Sequence, residues 1–323
     1  MNSSNLTQQS PTSGNMESKQ TTSTILMIEP VVFGFNDQTA INNYFQQKVS
    51  DDEKNIQRKA HAEFVEMVKK LRASGVNIMV VRDMEQPHTP DSIFPNNWIS
   101  FHEGGQVVLY PMFAENRRKE RRTEILQFIE SKGSIINNVD DFAFWEEQNL
   151  FLEGTGSMIF DRVNHIAYAA LSERTNKSLF LQFCKVFGFK PVYFAANQLV
   201  DNKRLPIYHT NVMLSIANEY AVICLESIDK EKDYNLVVDS LIKSGKEIIT
   251  ISEEQMHSFA GNMLQVENTE GNSLLVMSQS AYNSLNEFQI YRLNAYNEFI
   301  VVDIPTIESV GGGSVRCMMA EIF

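Results

Sequence analysis

The sequence predicts an α/β fold in which five copies of one unit close into a ring, a five-bladed α/β propeller. Three observations carry this expectation. Strand-like and amphipathic helical runs recur in one order, a strand pair, a helix and a further strand. Marker residues at one point of successive units keep a nearly constant spacing. The opening unit lacks a first strand, which the C-terminal run 315–323 would supply. Units of this kind assemble radially, and closure removes exposed sheet edges.

Taken in order, residues 1–22 are rich in Ser, Thr, Gln and Asn and lack apolar periodicity, so they read as a disordered tail. Residues 23–323 read as one domain. Its opening unit has the strand-like run 24–30, a helix near 52–74 and a strand at 76–81. The second has strands at 92–101 and 106–112, a charged amphipathic stretch at 116–132 and a β-rich run at 134–139. The third repeats the order at 156–161, 165–171, helical 175–187 and 191–194. The fourth follows at 212–216, 220–225, helical 230–244 and 247–251. The fifth has 263–266, 274–279, helical 281–294 and 299–304.

Composition limits the function classes. The 323 residues, 43% hydrophobic and 21% charged, are those of a soluble globular protein. A net charge of −12 argues against nucleic acid or an anionic membrane as partner, because phosphates need a basic surface. Three cysteines make no disulfide framework and point to a reducing compartment. No 18-residue apolar span and no signal-peptide core are evident, so the expected location is the cytoplasm.

Cys317 is the most informative residue. It follows Gly311-Gly312-Gly313-Ser314-Val315-Arg316, a glycine run that lets backbone approach whatever the sulfur touches. The motif alone allows a nucleophile or a buried core cysteine. Spacing adds the deciding information. Asn97 to Glu153 is 56 residues, Glu153 to His209 is 56, His209 to Asn262 is 53, and Asn262 to Cys317 is 55. In a ring, one fixed position of every unit faces the axis. A cysteine, a histidine and a carboxylate meeting there suffice for thiol catalysis. The thiolate attacks, His209 shuttles the proton and Glu153 orients a protonated group. Cys184 and Cys224 lack such a context and read as core packing. The other five histidines, His61, His88, His102, His165 and His257, read as surface or turn residues.

These residues carry a resemblance. Leu152-Glu153-Gly154, His209-Thr210-Asn211 and the glycine-rich segment ending at Cys317 resemble the guanidino-group-modifying superfamily, which holds arginine deiminases, dimethylarginine dimethylaminohydrolases and amidinotransferases. The segment from Asp91 to Trp98 resembles the substrate-gripping Asp-x-Val-Phe-x-Glu-Asp of the dimethylarginine hydrolases. Leu171-Ser172-Glu173-Arg174-Thr175-Asn176 resembles their Leu-Ser-x-Arg-Thr-Asn. The whole chain looks most like the citrulline-utilisation hydrolases within this superfamily. The resemblance implies the pentein fold, that is, the five-bladed propeller. It also implies a covalent thiouronium-type intermediate on Cys317 without metal or cofactor. By position, Cys317 is then the nucleophile, His209 the general acid/base and Glu153 the third catalytic group. Asp91 would hold the substrate α-amino end. Arg174, with Arg117 or Arg118, would grip the α-carboxylate. For Arg121 and Arg122 a solvated helix face is the expectation.

The departures from the family pattern are informative. Asn97 replaces an Asp of the arginine deiminases, Asn211 an acidic residue two after the histidine, and Asn96 the Glu of the dimethylarginine hydrolases. A buried guanidinium needs negative partners, whereas an amide offers a donor and an acceptor without charge. That suits a ureido group, so the expected reaction is citrulline to ornithine, ammonia and carbon dioxide. An arginine deiminase, arginine dihydrolase or amidinotransferase stays open within the same fold. A non-catalytic amino-acid-binding propeller stays open outside it. The expected partner is a small amino acid, and a homodimer is left open.

Overall fold

The computed structural model describes residues 18–323. The tail expected over residues 1–22 lies outside the described residues as far as residue 17. Residues 18–22 are placed against the body of the protein, which corrects that boundary. Gln20 is buried, its Nε2 donating to the carbonyls of Phe160 and Ile216, and Thr22 Oγ1 donates to Ile322 O.

The first unit contains β1 (Thr24–Glu29), α1 (Glu53–Ala73) and β2 (Asn77–Arg82). Asp52 caps α1 by accepting from Asn55 N, and Ile56, Ala60, Phe64, Met67 and Leu71 bury one face at helical spacing. The second unit has β3 (Ile99–His102), β4 (Gln106–Leu109), α2 (Thr123–Ser131) and β5 (Asn138–Asp141). The third has the single turn α3 (Gly154–Ser157), then β6 (Ile159–Asp161), β7 (Ile166–Ala170), α4 (Lys177–Phe187) and β8 (Lys190–Phe194). A hairpin of β9 (Asn197–Val200) and β10 (Lys203–Pro206) comes next. The fourth unit has β11 (Leu214–Ile216), β12 (Tyr220–Ile223), α5 (Glu231–Lys243) and β13 (Glu247–Thr250). The short α6 (Glu253–His257) leads to β14 (Leu264–Glu267), β15 (Ser273–Ser278), α7 (Gln279–Ser284), α8 (Glu287–Asn294) and β16 (Glu298–Val302). The last strand is β17 (Ala320–Ile322).

Five three-stranded sheets share one topology, in the orders β17-β1-β2, β3-β4-β5, β6-β7-β8, β11-β12-β13 and β14-β15-β16. In each, the first strand pairs antiparallel with the second, and the second pairs parallel with the third. A parallel neighbour requires a crossover, which is why each unit carries helix between its last two strands. The middle strands β7 and β12 are buried along their whole length, as strands covered on both faces are. The C-terminal strand does complete the first sheet, with Leu26 opposite Ala320. The first strands of neighbouring units lie together, β17 against β3, β6 against β11 and β11 against β14. The fold is thus α/β.

Several local expectations are corrected. The strand expected over 92–101 begins only at Ile99, because Pro95 opens a 3-10 turn, Pro95–Asn97, that turns both asparagines inward. The helix expected over 281–294 is two helices. Asn286 accepts from Gln289 N, and Gln289 reciprocates, so a capping box restarts the helix there. The β9–β10 hairpin was not foreseen. Its turn residues Asp201 and Asn202 have φ of 47° and 61°, the left-handed values such two-residue turns use. His102 is not a surface residue. It lies buried in β3 and stacks on Phe187.

Candidate active site

Each of Asn97, Glu153, His209, Asn262 and Cys317 stands shortly before the first strand of its unit. All five are buried. Asn97, His209 and Cys317 line one cavity, together with Asn43, Asp91, Phe94, Arg117, Arg174, Tyr208 and the three glycines Gly311–Gly313. About 250 Å³ is empty there, but only about 10 Å³ of it admits the centre of a water-sized particle.

The sulfur is surrounded by amides. Asn211 Nδ2 donates to Cys317 Sγ at 3.2 Å and Asn262 Nδ2 at 3.4 Å. Asn262 is itself fixed, donating to Asn211 O and accepting from Arg316 N at 3.1 Å. The glycines before it permit contact with Phe94: a Cβ at Gly311 would stand 2.9 Å from the Phe94 ring.

Glu153 and His209 form a buried pair, with His209 Nε2 donating to Glu153 Oε2 at 2.7 Å. Glu153 Oε1 accepts from Phe113 N at 2.9 Å, and Arg174 Nη1 lies 3.6 Å from Oε2. Burial pushes the Glu153 carboxyl up, but Arg174 and the His209 hydrogen bond outweigh it and hold it at about 2. Burial pulls the His209 imidazole down to about 4, against the pull of Glu153. At neutral pH the pair is carboxylate and neutral imidazole. Gly156 makes room for this arrangement. A Cβ there would stand 2.4 Å from Asn97 Nδ2 and 2.8 Å from His209 Nδ1.

Asp91 lines the cavity. Its Oδ2 accepts from Asn36 Nδ2 and Thr39 Oγ1, while the buried Oδ1 has no partner among the described residues. Arg174 lies between the rings of Phe113 and Tyr208 and donates to Asn42 Oδ1 and Thr39 O. Arg117 reaches the cavity, but its fork is already occupied. Nε and Nη2 donate to Glu120 at 2.9 Å each, Nη1 to Asn97 Oδ1 at 2.7 Å and Nη2 to Phe94 O. Arg118 lies outside the cavity lining. It donates to Met112 O and sits over Phe151. Asn96 also lies outside it, fully buried, with neither amide atom partnered among the described residues. Arg121 and Arg122 are not a solvated face. Arg121 forks onto Glu146, and Arg122 donates to Arg82 O.

The sequence reading missed the chain over the site. Residues 36–47 have no strand or helix, yet they touch both walls. Asn43 Nδ2 donates to Gly312 O, Gln46 Nε2 to Val310 O, and Gln47 N to Ser309 O. The polar run Asn36, Thr39, Asn42, Asn43 was the available signal. Glu120, which accepts two hydrogen bonds from Arg117, was missed as well, although an i,i+3 pair was visible in the sequence. Among the described residues, no group of three or more His, Cys, Asp or Glu side chains is arranged to hold a metal ion, and no helix is long and apolar enough to cross a membrane.

A thiol held by amides, an imidazole–carboxylate pair and buried arginines, carried on five sheets of one topology, define an enzyme of the guanidino-group-modifying superfamily, a hydrolase acting on C–N bonds. The chain belongs to the family described as "N,N dimethylarginine dimethylhydrolase, eukaryotic", whose model matches residues 29–323. Solved structures agree on the fold. Apo ArgZ, an arginine dihydrolase from the ornithine–ammonia cycle in cyanobacteria, is similar with a TM-score of 0.72 and 17% identity over 93% of this chain. The chain spans 40% of the length of that protein. The N-terminal domain of ArgZ, a cysteine-to-serine mutant bound to substrate, gives 0.69 and 18% identity, covering 93% of this chain and 97% of that one. DDAH from Pseudomonas aeruginosa, complexed with citrulline, gives 0.62 and 17% identity, with 94% and 100% covered. No curated protein matches the sequence.

Proposed function

We propose that the chain hydrolyses citrulline to ornithine, ammonia and carbon dioxide, with Cys317 as nucleophile. The observation that carries this reading is a pair of unpartnered amide atoms at the site. Asn97 Nδ2 and Asn211 Oδ1 are buried and without partners among the described residues, one donor and one acceptor. A ureido group offers one carbonyl and N–H donors, which meet both without any charge. The nearby carboxylate of Glu153 is already taken by His209, Arg174 and Phe113.

In this reading Asp91 Oδ1 accepts from the substrate α-ammonium and Arg174 holds the α-carboxylate. Arg117 positions Asn97 and Asp91 in place of gripping substrate. Sγ attacks the ureido carbon, and the bond to the terminal nitrogen breaks. Neutral His209 takes the Cys317 thiol proton as Sγ attacks and delivers it to that nitrogen, so that ammonia leaves and a thiocarbamate remains on Cys317. His209 then takes a proton from water, which attacks the same carbon and releases the thiolate. The carbamate of ornithine so formed loses carbon dioxide. The same proposal has residues 23–323 as one domain. Its five sheets form the five blades of a propeller closed around this cavity, in the cytoplasm, where the thiol stays reduced.

Arginine is the second reading, favoured by Asp91 and Glu153, two carboxylates beside the cavity. The test incubates the purified protein with citrulline, arginine and dimethylarginine separately, measuring ornithine and ammonia, and records the protein mass after brief mixing. Citrulline should yield ornithine and a thiocarbamate-sized adduct that Cys317→Ser abolishes. Faster turnover of arginine or dimethylarginine would sink the citrulline reading.

A further inference from the structure

A second charged cavity lies on the other side of the catalytic loop. It is lined by Gln20, Arg162, Ser215, Arg316 and Glu321 over an apolar floor that includes Met263 and Leu264. Arg316 immediately precedes Cys317, yet it lines this cavity and not the one around the sulfur. Its charge is met, since Nη2 donates to Glu321 at 2.9 Å and Nη1 to Met319 O at 3.0 Å.

The charge of Arg162 is not met. The residue is 7% exposed, follows β6, and makes no ion pair among the described residues. Its guanidinium lies over the rings of Phe323 and Phe160, and its single side-chain hydrogen bond among the described residues runs from Nη1 to His102 Nδ1 at 3.4 Å. His102 cannot supply a negative charge. Burial, and then Arg162 itself, pull its imidazole well down, so the ring is neutral and also bonded to Ser100. Glu103 lines the adjoining cavity, but its carboxylate accepts from Ser18 Oγ and Lys19 N. Two guanidinium groups therefore share the smaller cavity with one carboxylate. Burial pulls the Arg162 guanidinium down, and Arg316 adds to that against the pull of Glu321. A buried, unpaired charge is costly, and a counter-ion relieves that cost.

We propose that this cavity between Arg162 and Arg316 binds a small monovalent anion of halide size. The free space, about 20 Å³ for the centre of a water-sized particle, admits one such ion. Arg162 supplies the unmet guanidinium donors and Gln20 Nε2 closes one wall. The site communicates with the nucleophile by a short path. Arg316 N donates to Asn262 Oδ1, and Asn262 Nδ2 donates to Cys317 Sγ.

The experiment needs no substrate and so stands apart from the citrulline reading. Unfolding temperature is followed as sodium bromide replaces sodium gluconate at fixed ionic strength. The expected result is a saturating rise on the order of 5 °C in the wild type, absent in Arg162→Gln. Crystals soaked in bromide should show an anomalous peak within hydrogen-bond distance of the Arg162 guanidinium. Equal bromide response in wild type and variant, or bromide only at surface residues, overturns the proposal. If Arg162→Gln does not fold, the peak in wild-type crystals decides, its presence for the site and its absence against.

Discussion

Asn97→Asp is the most informative change at the active site, because the geometry fixes what the new carboxylate can do. Asn97 Oδ1 already accepts from Arg117 Nη1 at 2.7 Å. One carboxylate oxygen would keep that bond, and the other would take the place of Nδ2. Nδ2 is buried, unpartnered among the described residues and close to His209. A neutral ureido oxygen then loses a donor and meets an acceptor, at about 1–3 kcal/mol. A cationic guanidinium gains a charged hydrogen bond of about 1.5–3 kcal/mol. Together these move the ratio of kcat/KM for arginine over citrulline by roughly 10² to 10⁴. The assay is ornithine release from each substrate by wild type and variant, with unfolding temperature as control. A ratio that stays within threefold, or moves towards citrulline, refutes the assignment of Asn97. Asn211 is unsuitable for the same test. Its Nδ2 donates to Cys317 Sγ, so a carboxylate there opposes the thiolate and slows every substrate.

Cys317→Ser should abolish turnover while substrate still binds by calorimetry; recovery of more than a few per cent of the rate would remove the thiol from the reaction. Gly156→Ala should cost on the order of 10² in kcat, since the new Cβ displaces both Asn97 and His209, while the unfolding temperature falls by only a few degrees. Because burial holds His209 near 4, the pH profile of kcat/KM should show no acid limb near 6.5, and an apparent pKa there would contradict a neutral resting imidazole. Both His209 and Glu153 have folded values below their ordinary ones of 6.5 and 4.5. The unfolded chain then binds the extra protons. Stability from this pair should be present above pH 6.5 and fall as pH drops through about 4 and about 2. Denaturant titrations at several pH values measure that slope, which should flatten in His209→Gln.

The repeat was legible because each unit spells out the same order of apolar runs, and tertiary packing did not override them. Asn262 had only its position in the repeat to recommend it, yet it donates to the sulfur. Interactions between units were not legible. Arg117 looked like a substrate clamp; its i,i+3 neighbour Glu120 was visible locally, but nothing revealed that Asn97 and the Phe94 carbonyl would occupy the rest of its fork. Residues 36–47 carry no hydrophobic period, and their place over the cavity rests on hydrogen bonds to Asp91, Arg174, Ser309, Val310 and Gly312 together with the buried Phe45. Pro95 was the one local cue that the run 92–101 would turn before it extended.

The pairing of β17 with β1 has a consequence for the order in which reactivity appears. The cysteine loop runs directly into the strand that pairs with the opposite end of the described chain. The donors on its sulfur come from two other sheets, more than fifty residues upstream. A nascent or partly unfolded chain therefore lacks the Asn211 and Asn262 donors on the sulfur. In the proposed reaction the sulfur acquires these neighbours only once contacts across more than fifty residues have formed, and long-range contacts are slow to form. The proposed nucleophile is thus complete only in the folded chain.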